Sequence, residues 1–349
     1  MTSFTMVNST IQCVAGQPCQ PSGTLGNDGL LLSMRGTSVL TSGSISGSTV
    51  SGVRAVGVQI QTNDSGRIGS ASGGVIAAPA ASNSFTVQSN TFTGNGQGID
   101  IDESQVSSLA FQVLSNTING KVTSPGAISN QASSHAINAF TAAGSDTGPA
   151  SHFFVGKIDG NIIGTQGAKD SGSGIGSGIR VVVQGQNTQG VVAVSNNTIR
   201  EVPNSVIVNF FGQSGNSASG TNTARFKIVG NTMPTPSGTN LSLCGPANTP
   251  CADNGIFVLA DEGTPVCNVI TGNSVFDIAA FSPLTLPFNV YLAERIGPPA
   301  GAQLTVEGTG GSNSAYIQAN NTLSGANKFL DEGTNTSQVA GGACGAFPL

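Results

Sequence analysis

The chain of 349 residues carries little charge, and this limits the partners it can have. Charged residues make up 8% of the sequence, Lys and Arg number only 12, and the net charge is −5. A nucleic-acid partner requires a basic surface that offsets phosphate charge, whereas the cationic residues here are spread singly. No apolar run approaches the roughly 20 residues that a membrane-spanning helix needs. We therefore expect no nucleic-acid partner and no membrane insertion by this segment.

Aromatic side chains are also scarce. The sequence has no Trp, and its only tyrosines are Tyr291 and Tyr316. Sites that process sugars generally combine aromatic platforms with clustered charged groups. This shortage argues against an enzyme that acts on polysaccharides. Long helices are lacking too, and the best short candidate spans residues 326–330.

The stretch from Ser84 to Ser104 contains the unit that the rest of the chain repeats. An alternating strand, FTVQ, is followed by the corner Asn90-Thr-Phe, a Gly/Asn turn and a second alternating strand, GIDID. One such unit cannot bury its own apolar face, so it needs copies stacked above and below it. We therefore expect a solenoid.

The corner recurs along the chain at intervals of 26 to 48 residues, with an early version at Asn8-Ser-Thr-Ile. Asn tolerates the left-handed backbone conformation of a tight corner, and stacked Asn side chains can bond to one another in a ladder. The same two strand types alternate around these corners, which predicts about nine to ten coils. The predicted ladder residues are Asn90, Asn116, Asn161, Asn197, Asn231, Asn273 and Asn321.

With these corners and strands, the chain resembles the right-handed parallel β-helix family, which includes pectate-lyase-like enzymes, phage tailspikes and autotransporter passenger domains. The resemblance implies an all-β, right-handed parallel β-helix with loop insertions, and it is closest to a secreted passenger module. Residues 1–330 are expected to form one domain, with irregular coils over 1–56 and an insertion loop over 234–254. Residues 331–349 are expected to form a tail. Coils stacked at about 4.8 Å would make a rod on the order of 45 Å long.

The six cysteines indicate disulfides rather than a metal site. Cys13 with Cys19 and Cys244 with Cys251 would close small loops, and Cys267 with Cys344 would pin the tail to the last coils. Their spacing does not fit paired zinc knuckles, so we expect no metal of this kind. Disulfides require an oxidising compartment, so we expect a secreted or cell-surface protein. Because strand-like residues follow Met1 at once, we interpret the chain as a piece of a longer exported protein.

Acidic side chains at strand ends are the candidate catalytic residues. Aligning the second strand type places Asp261 and Glu262 near Glu294 and Arg295 on the next coil. A separation of about 5 Å along the stack would suit a retaining pair of carboxylates. Solvated caps that blunt aggregation are the alternative role for these acids.

Two further groups of charged residues lie on the early coils. Arg35, Asp64 and Glu103 fall near comparable positions on early coils and could form an ion-pair ladder of little energetic value. Where Asp100, Asp102 and Glu103 crowd together, their hard oxygen atoms would suit calcium. In an alternating strand, however, Asp100 and Asp102 share a face while Glu103 points the other way.

These observations favour a structural or adhesion module that presents loops to an extracellular glycan or protein surface, without catalysis of its own. The alternative is a polysaccharide lyase or glycoside hydrolase with outward acidic residues on adjacent coils. A tailspike-like fibre is a third interpretation, although no trimer-forming end can be identified. The repeated corners predict the fold and leave the choice among these functions open.

Overall fold

The computed structural model describes most of the chain. The described ranges are 3–12, 28–53, 55–69, 83–105, 107–119, 135–142, 152–168, 171–173, 176–185, 187–202, 204–213, 223–236, 243–244, 249–261, 264–278, 287–295, 303–309, 311–333 and 336–347. Within them, side chains are left undescribed at 142, 152, 204–213, 243–244, 249–253 and 295.

The described residues form a parallel β-helix with three sheets, each running along the stack. Strands are numbered β1 to β31 along the chain. The first sheet follows the order β1 (Ser3–Val7), β5 (Ser42–Ser46), β9 (Phe85–Gln88), β12 (Ser108–Leu114), β15 (His152–Asp159), β18 (Thr188–Ser195), β21 (Thr223–Val229), β25 (Val266–Thr271), β28 (Leu304–Glu307) and β31 (Ser337–Val339), with β4 (Val39–Leu40) and β8 (Arg67–Ile68) beside it.

The second and third sheets each contain nine strands in their main order. The second sheet runs through β2 (Thr10–Gln12), β6 (Thr49–Ser51), β10 (Thr91–Thr93), β13 (Thr117–Asn119), β16 (Ile162–Ile163), β19 (Thr198–Ile199), β22 (Thr232–Met233), β26 (Ser274–Val275) and β29 (Thr322–Leu323). The third sheet runs through β3 (Leu30–Met34), β7 (Val56–Thr62), β11 (Gln97–Ser104), β14 (Ile137–Ala142), β17 (Ile179–Gln184), β20 (Asn204–Gln213), β24 (Thr249–Asp261), β27 (Phe288–Arg295) and β30 (Phe329–Asp331). The predicted all-β parallel fold of nine to ten coils is confirmed.

The interior is built from columns of apolar side chains, one residue per coil. In the first sheet, one column reads Ile45, Val87, Val113, Ile158, Val194, Ile228 and Ile270, all fully buried. The period-two alternation in the sequence produces this column because alternate side chains of a strand point to opposite faces. Burial of each such side chain stabilises the fold by roughly 1.5–3 kcal/mol.

The sequence predicted two strand types, but the structure has three sheets. The Thr-apolar pair after each corner Asn is itself a short strand of the second sheet, as in β10 and β13, which pair in parallel from Thr91 with Thr117. Strands of two or three residues are too short to give a periodic pattern, so the sequence alone does not distinguish them from the corner.

At six of the seven ladder corners, the left-handed turn and the ladder hydrogen bonds belong to two neighbouring residues, the exception being Asn321. The left-handed backbone conformation belongs to the residue before the ladder Asn, with φ of 56° at Ser89, 53° at Ser115 and 66° at Gly160. The expectation that the ladder Asn itself adopts this conformation was wrong for Asn90, which is not among the positive-φ residues of the described chain.

The predicted ladder residues bond to one another from coil to coil. The Nδ2 of Asn116 donates to Oδ1 of Asn161 at 3.0 Å, and the backbone N–H of Asn116 donates to the same oxygen at 2.9 Å. The same pair of contacts continues through the remaining ladder residues to Asn321. Five of the seven, Asn116 to Asn273, are fully buried.

The first coils use serine in place of this asparagine. The backbone N–H of Ser48 donates to Oδ1 of Asn90 at 2.9 Å, and that of Ser9 donates to Oγ of Ser48 at 3.1 Å. Asn8, where an early corner was expected, holds the left-handed position with φ of 49°. The ladder position there is Ser9, one residue later.

Side-chain volume is balanced between adjacent coils in the core. Phe111 on β12 lies in register with Gly156 on β15, and its ring packs against Phe154 with centroids 5.0 Å apart. A Cβ on Gly156 would lie 1.9 Å from the Phe111 ring. Glycine is therefore required at this position by close approach.

Three details differ from expectation near the C-terminal end. The helix is α1 (Asn313–Asn320), which begins after the N-cap Ser312, whereas the expected helix at 326–330 is not formed and its last two residues belong to β30. Part of the expected insertion loop is strand, because β24 begins at Thr249 and pairs with β23 (Leu243–Cys244). The expected tail contributes β31 to the first sheet.

Candidate functional site

The outward face of the third sheet carries a patch of polar and charged side chains on four neighbouring coils. Its members, here named the outer strip, are Gln59, Gln61, Asp100, Asp102, Asn138, Phe140 and Arg180. They occupy two columns. Register places Gln59, Asp100, Asn138 and Arg180 in one column, and Gln61, Asp102 and Phe140 in the other.

A hydrogen-bond chain runs along the first column. Asp100 accepts from Gln59 Nε2 at 3.1 Å and from Asn138 Nδ2 at 2.8 Å. The Asn138 amide oxygen in turn accepts from Arg180 Nη1 at 3.2 Å. Asn138 therefore links a carboxylate to a guanidinium two coils away.

The second column contains fewer hydrogen bonds between its side chains. Gln61 Nε2 donates to Oδ2 of Asp102 at 3.2 Å, and Ser33 Oγ donates to Oε1 of Gln61 at 3.3 Å. On the other side of Asp102, the register partner is Phe140, over whose ring the Arg180 guanidinium lies at 5.9 Å.

Burial changes the ionisation of the carboxyls in and beside this strip. It raises the pKa of Asp102 to about 7, and the neighbouring charges of Asp100 and Glu103 add to the rise. Burial is also the main reason why the pKa of Asp100 is raised, against the lowering effect of its bond from Asn138. The pKa of Asp28 is raised by burial as well.

His135 lies beside the strip at the start of β14. Its Nδ1 accepts from the backbone N–H of Ser177 at 2.8 Å, and burial together with the charge of Arg180 lowers its pKa to about 3. The imidazole is therefore neutral at physiological pH, and Nε2 carries the proton.

The candidate catalytic acids do not face one another. Register pairs Asp261 with Arg295 and Glu294 with Ala260, so the two carboxylates project to opposite faces of the sheet. Ala260 belongs to the core, which places Glu294 on the inward side at its strand end. Glu262 and the Arg295 side chain lie outside the described residues. Asp261 and Glu294 lie near the same end of neighbouring strands, as predicted, but they are not side by side, because they occupy adjacent positions in the register and therefore opposite faces.

The other acidic candidates also separate. Glu103 pairs with Thr62, is 1% exposed and accepts from Ser107 Oγ at 3.0 Å, whereas Asp64 lies in an exposed turn where it accepts from Gly36 N. Asp100 and Asp102 face outward and Glu103 inward, as the alternation predicted. Among the described residues, no group of three His, Cys, Asp or Glu side chains is arranged to hold a metal ion.

Cys267 and Cys344 are joined by a disulfide on the outward face of the first sheet. Backbone contacts accompany it, since Cys344 O accepts from Arg225 Nη1 at 3.0 Å and Cys344 N donates to Glu307 at 2.9 Å. We name these four residues the tail clasp. Cys13 and Cys19 lie outside the described residues, as do the side chains of Cys244 and Cys251.

Sequence reasoning missed a column of hydroxyl groups on the second sheet. One outward position per coil is Thr or Ser on every described coil of that sheet except at Ile162, which is 43% exposed. The column comprises Thr10, Thr49, Thr91, Thr117, Ile162, Thr198, Thr232, Ser274 and Thr322. In the sequence, this column could be recognised from the Thr or Ser that follows most of the corner Asn residues.

The fold and the outer strip define the protein as a parallel β-helix with a carboxylate-bearing outer face on its third sheet. No family model matches the chain, and no curated protein matches it. Among solved structures, it is similar to the crystal structure of a TibC-catalysed, hyper-glycosylated TibA fragment. That likeness covers 96% of this chain and 100% of the other at 13% identity, with a TM-score of 0.16. A likeness of this size supports no argument about either protein. In the part of the chain that the structure describes, no helix is both long and apolar enough to cross a membrane.

Proposed function

We propose that the chain is a secreted or cell-surface β-helical module that binds an extracellular glycan or protein surface through its outward columns. The observation that carries this proposal is the continuous stack, in which three parallel sheets extend over nine coils and the Asn ladder over seven of them. Such a stack holds outward side chains at a fixed spacing of about 4.8 Å. A rigid, regularly spaced surface suits binding to an extended partner.

The location is supported by the tail clasp. Its Cys267–Cys344 disulfide closes a separation of 77 residues. Disulfides persist in secreted and surface proteins and are rare in reducing compartments. The alternative of a lyase or hydrolase using Asp261 and Glu294 has no support from the geometry, because these carboxylates project to opposite faces.

The binding proposal can be tested with beads coated with the oxidised chain at known density. We expect retention under flow on at least one immobilised surface from a panel of polysaccharides and extracellular matrix proteins, and competition by the soluble chain. Beads coated with the heat-unfolded chain are the control. Equal retention of folded and unfolded coatings on every surface would refute the proposal.

The location is tested on intact cells that produce the protein. We expect a protease that cannot cross the membrane to degrade it, or the medium to contain it, with the Cys267–Cys344 bond present in peptide maps. Recovery of the protein only from the reduced interior of broken cells would contradict an extracellular role.

A further inference from the structure

The N-terminal end of the stack presents the open edges of three strands. β1, β2 and β3 come first in their sheets, and among the described residues each pairs with a strand on one side alone. An open edge offers free backbone N–H and C=O groups to another strand, and proteins commonly protect it with charged residues, proline or a bulge. The three strands, SFTMV, TIQ and LLLSM, contain no charged residue and no Pro, and their pairing runs without a break in register.

The apolar columns of the core also reach this end without full cover. Met6 lies in register with Ile45 and Val87, which are fully buried, yet Met6 itself is only half-buried. Val7 and Leu31, on the outward side of the same strands, are each 50% exposed. The half-buried inward side chains of the three strands are Phe4, Met6, Ile11, Leu30 and Leu32. This end therefore combines free strand edges with apolar surface that a further layer could bury.

The C-terminal end of the stack is protected by different means. Asp331 on β30 lies in register with the fully buried Leu292, so its carboxylate points inward. An inward-pointing charge is one of the devices that keep a further strand from adding to an edge. Helix α1 packs beside it, where Asn313 Nδ2 donates to Asp331 Oδ2 at 3.2 Å, and the tail clasp holds β31. The two ends differ, and the N-terminal end is the one suited to strand addition.

A partner for this end has to offer three strand edges around an apolar centre at the same time. The N-terminal end of a second copy has this arrangement, whereas the protected C-terminal end does not. We propose that two copies of the chain associate head to head through β1, β2 and β3, about a two-fold axis perpendicular to the stack. The axis passes through the middle of β1. It pairs β1 antiparallel with β1 of the second copy, and β2 with β3 of the second copy. A two-fold interface is closed, so assembly stops at the dimer.

The backbone of β1 favours an axis centred on Thr5. The N–H of Asn8 donates to Ser46 O of β5 at 3.0 Å. Because successive residues of a strand direct their hydrogen-bonding groups to opposite sides, those of Ser3, Thr5 and Val7 point away from β5. The two Thr5 residues of the dimer can then exchange both N–H···O=C hydrogen bonds, as directly opposed residues of an antiparallel pair do.

The same centring pairs the side chains by chemistry. On the inward face, Phe4 lies opposite Met6 of the second copy, which gives a sulfur–aromatic contact in the extended core. On the outward face, Ser3 lies opposite Val7 of the second copy. Ser3, Ser42 and Ser44 line a recess of about 270 Å³ beside β1, which gives this exposed valine space. The interface is separate from the extracellular binding surface proposed above.

The test is sedimentation equilibrium of the full oxidised chain over a dilution series. We expect the wild type to show a monomer–dimer equilibrium with no larger species. Thr5→Lys would bring two ammonium groups together at the axis, so we expect its dimer dissociation constant to rise at least about tenfold. Thr5→Glu should have the same effect. An equimolar mixture of the two variants should form dimers again, because opposite charges then meet at the axis.

Ser337→Lys is the matched control, since Ser337 is exposed on β31, at the other end of the same sheet. It should dimerise like the wild type, and denaturation midpoints establish that each variant is folded. A wild type that stays monomeric at every concentration, as expected if another segment of the chain covers this end, would overturn the proposal. So would a Thr5→Lys dimer of unchanged affinity, or a mixture of the charged variants that stays monomeric. Open-ended assemblies that Ser337→Lys also weakens would show a head-to-tail contact instead.

Discussion

At the scale of the residue, burial at the outer face of the third sheet shifts the pKa values of Asp102 and His135 in opposite directions. Burial raises the pKa of Asp102 to about 7 and lowers that of His135 to about 3. The folded state therefore favours the uncharged form of both. Stability linked to Asp102 is complete below pH 3.8 and is lost as the pH rises through 7, whereas stability linked to His135 is complete above pH 6.5 and is lost as the pH falls through 3.

Replacing Asp102 by Asn should remove the alkaline part of this dependence. We expect the variant to be more stable than the wild type at pH 8.5, by on the order of 1–3 kcal/mol, and about equally stable at pH 4. Urea unfolding at the two pH values measures the difference. Asp64→Asn is the matched control, since Asp64 lies in an exposed turn. Parallel pH profiles for wild type and Asp102→Asn would show that Asp102 is not the titrating group.

At the scale of the element, the corner is the unit that fixes the stack. The side chain of each ladder Asn satisfies backbone groups of the preceding coil: Asn161 accepts from the N–H of Asn116 and donates to Val113 O at 2.9 Å. The preceding residue supplies the left-handed turn, which is why Ser, Gly and Asn all serve there.

Asn161→Ala should therefore destabilise the protein strongly. It leaves the buried N–H and Nδ2 of Asn116 without their acceptor, and we expect a loss of about 2–4 kcal/mol in the free energy of unfolding. Ile162→Thr is the control on the next residue, where the side chain is exposed and Thr occupies the same position on other coils. It should change stability by less than about 0.5 kcal/mol. Similar effects of the two substitutions would argue against the ladder as the stabilising element.

At the scale of the whole molecule, each coil is expected to be stabilised only by contacts with its neighbouring coils, as in other solenoids. The tail clasp joins Cys344 to side chains of β21, β25 and β28, which are consecutive strands of the first sheet. It therefore closes the C-terminal end, where β31 has one partner strand within the described residues.

Cys344→Ser should loosen this end and leave the middle coils intact. We expect amide protection at β31 and β28 to fall by about 2–4 kcal/mol, a typical effect of removing a disulfide, while protection in β15 and β18 is unchanged. Hydrogen exchange read by mass spectrometry measures both. Adding reductant to the variant should have no further effect on β31. Loss of protection throughout the stack would contradict nearest-neighbour coupling.

The sequence allowed the strands of the first and third sheets to be predicted because their pattern is local. Alternation within segments such as GIDID identifies the inward Ile99 and Ile101 and the outward Asp100 and Asp102 without knowledge of any neighbour. The second sheet was missed because two-residue strands show no period. The expected pairing of Asp261 with Glu294 fails because both lie near the same strand end but differ by one position in the register, which puts them on opposite faces.

The sequence by itself determined a stacked β-helix of nine to ten coils, since repeated corners and period-two strands have no other way to bury their apolar faces. The tertiary structure decided which outward residues meet. Asp100 and Asp102 are alike in sequence, yet Asp100 accepts from Gln59 and Asn138 with both oxygens, whereas Oδ1 of Asp102 has no hydrogen-bond donor among the described residues. That difference arises from residues about 40 positions away, which come into contact only when the coils stack in register.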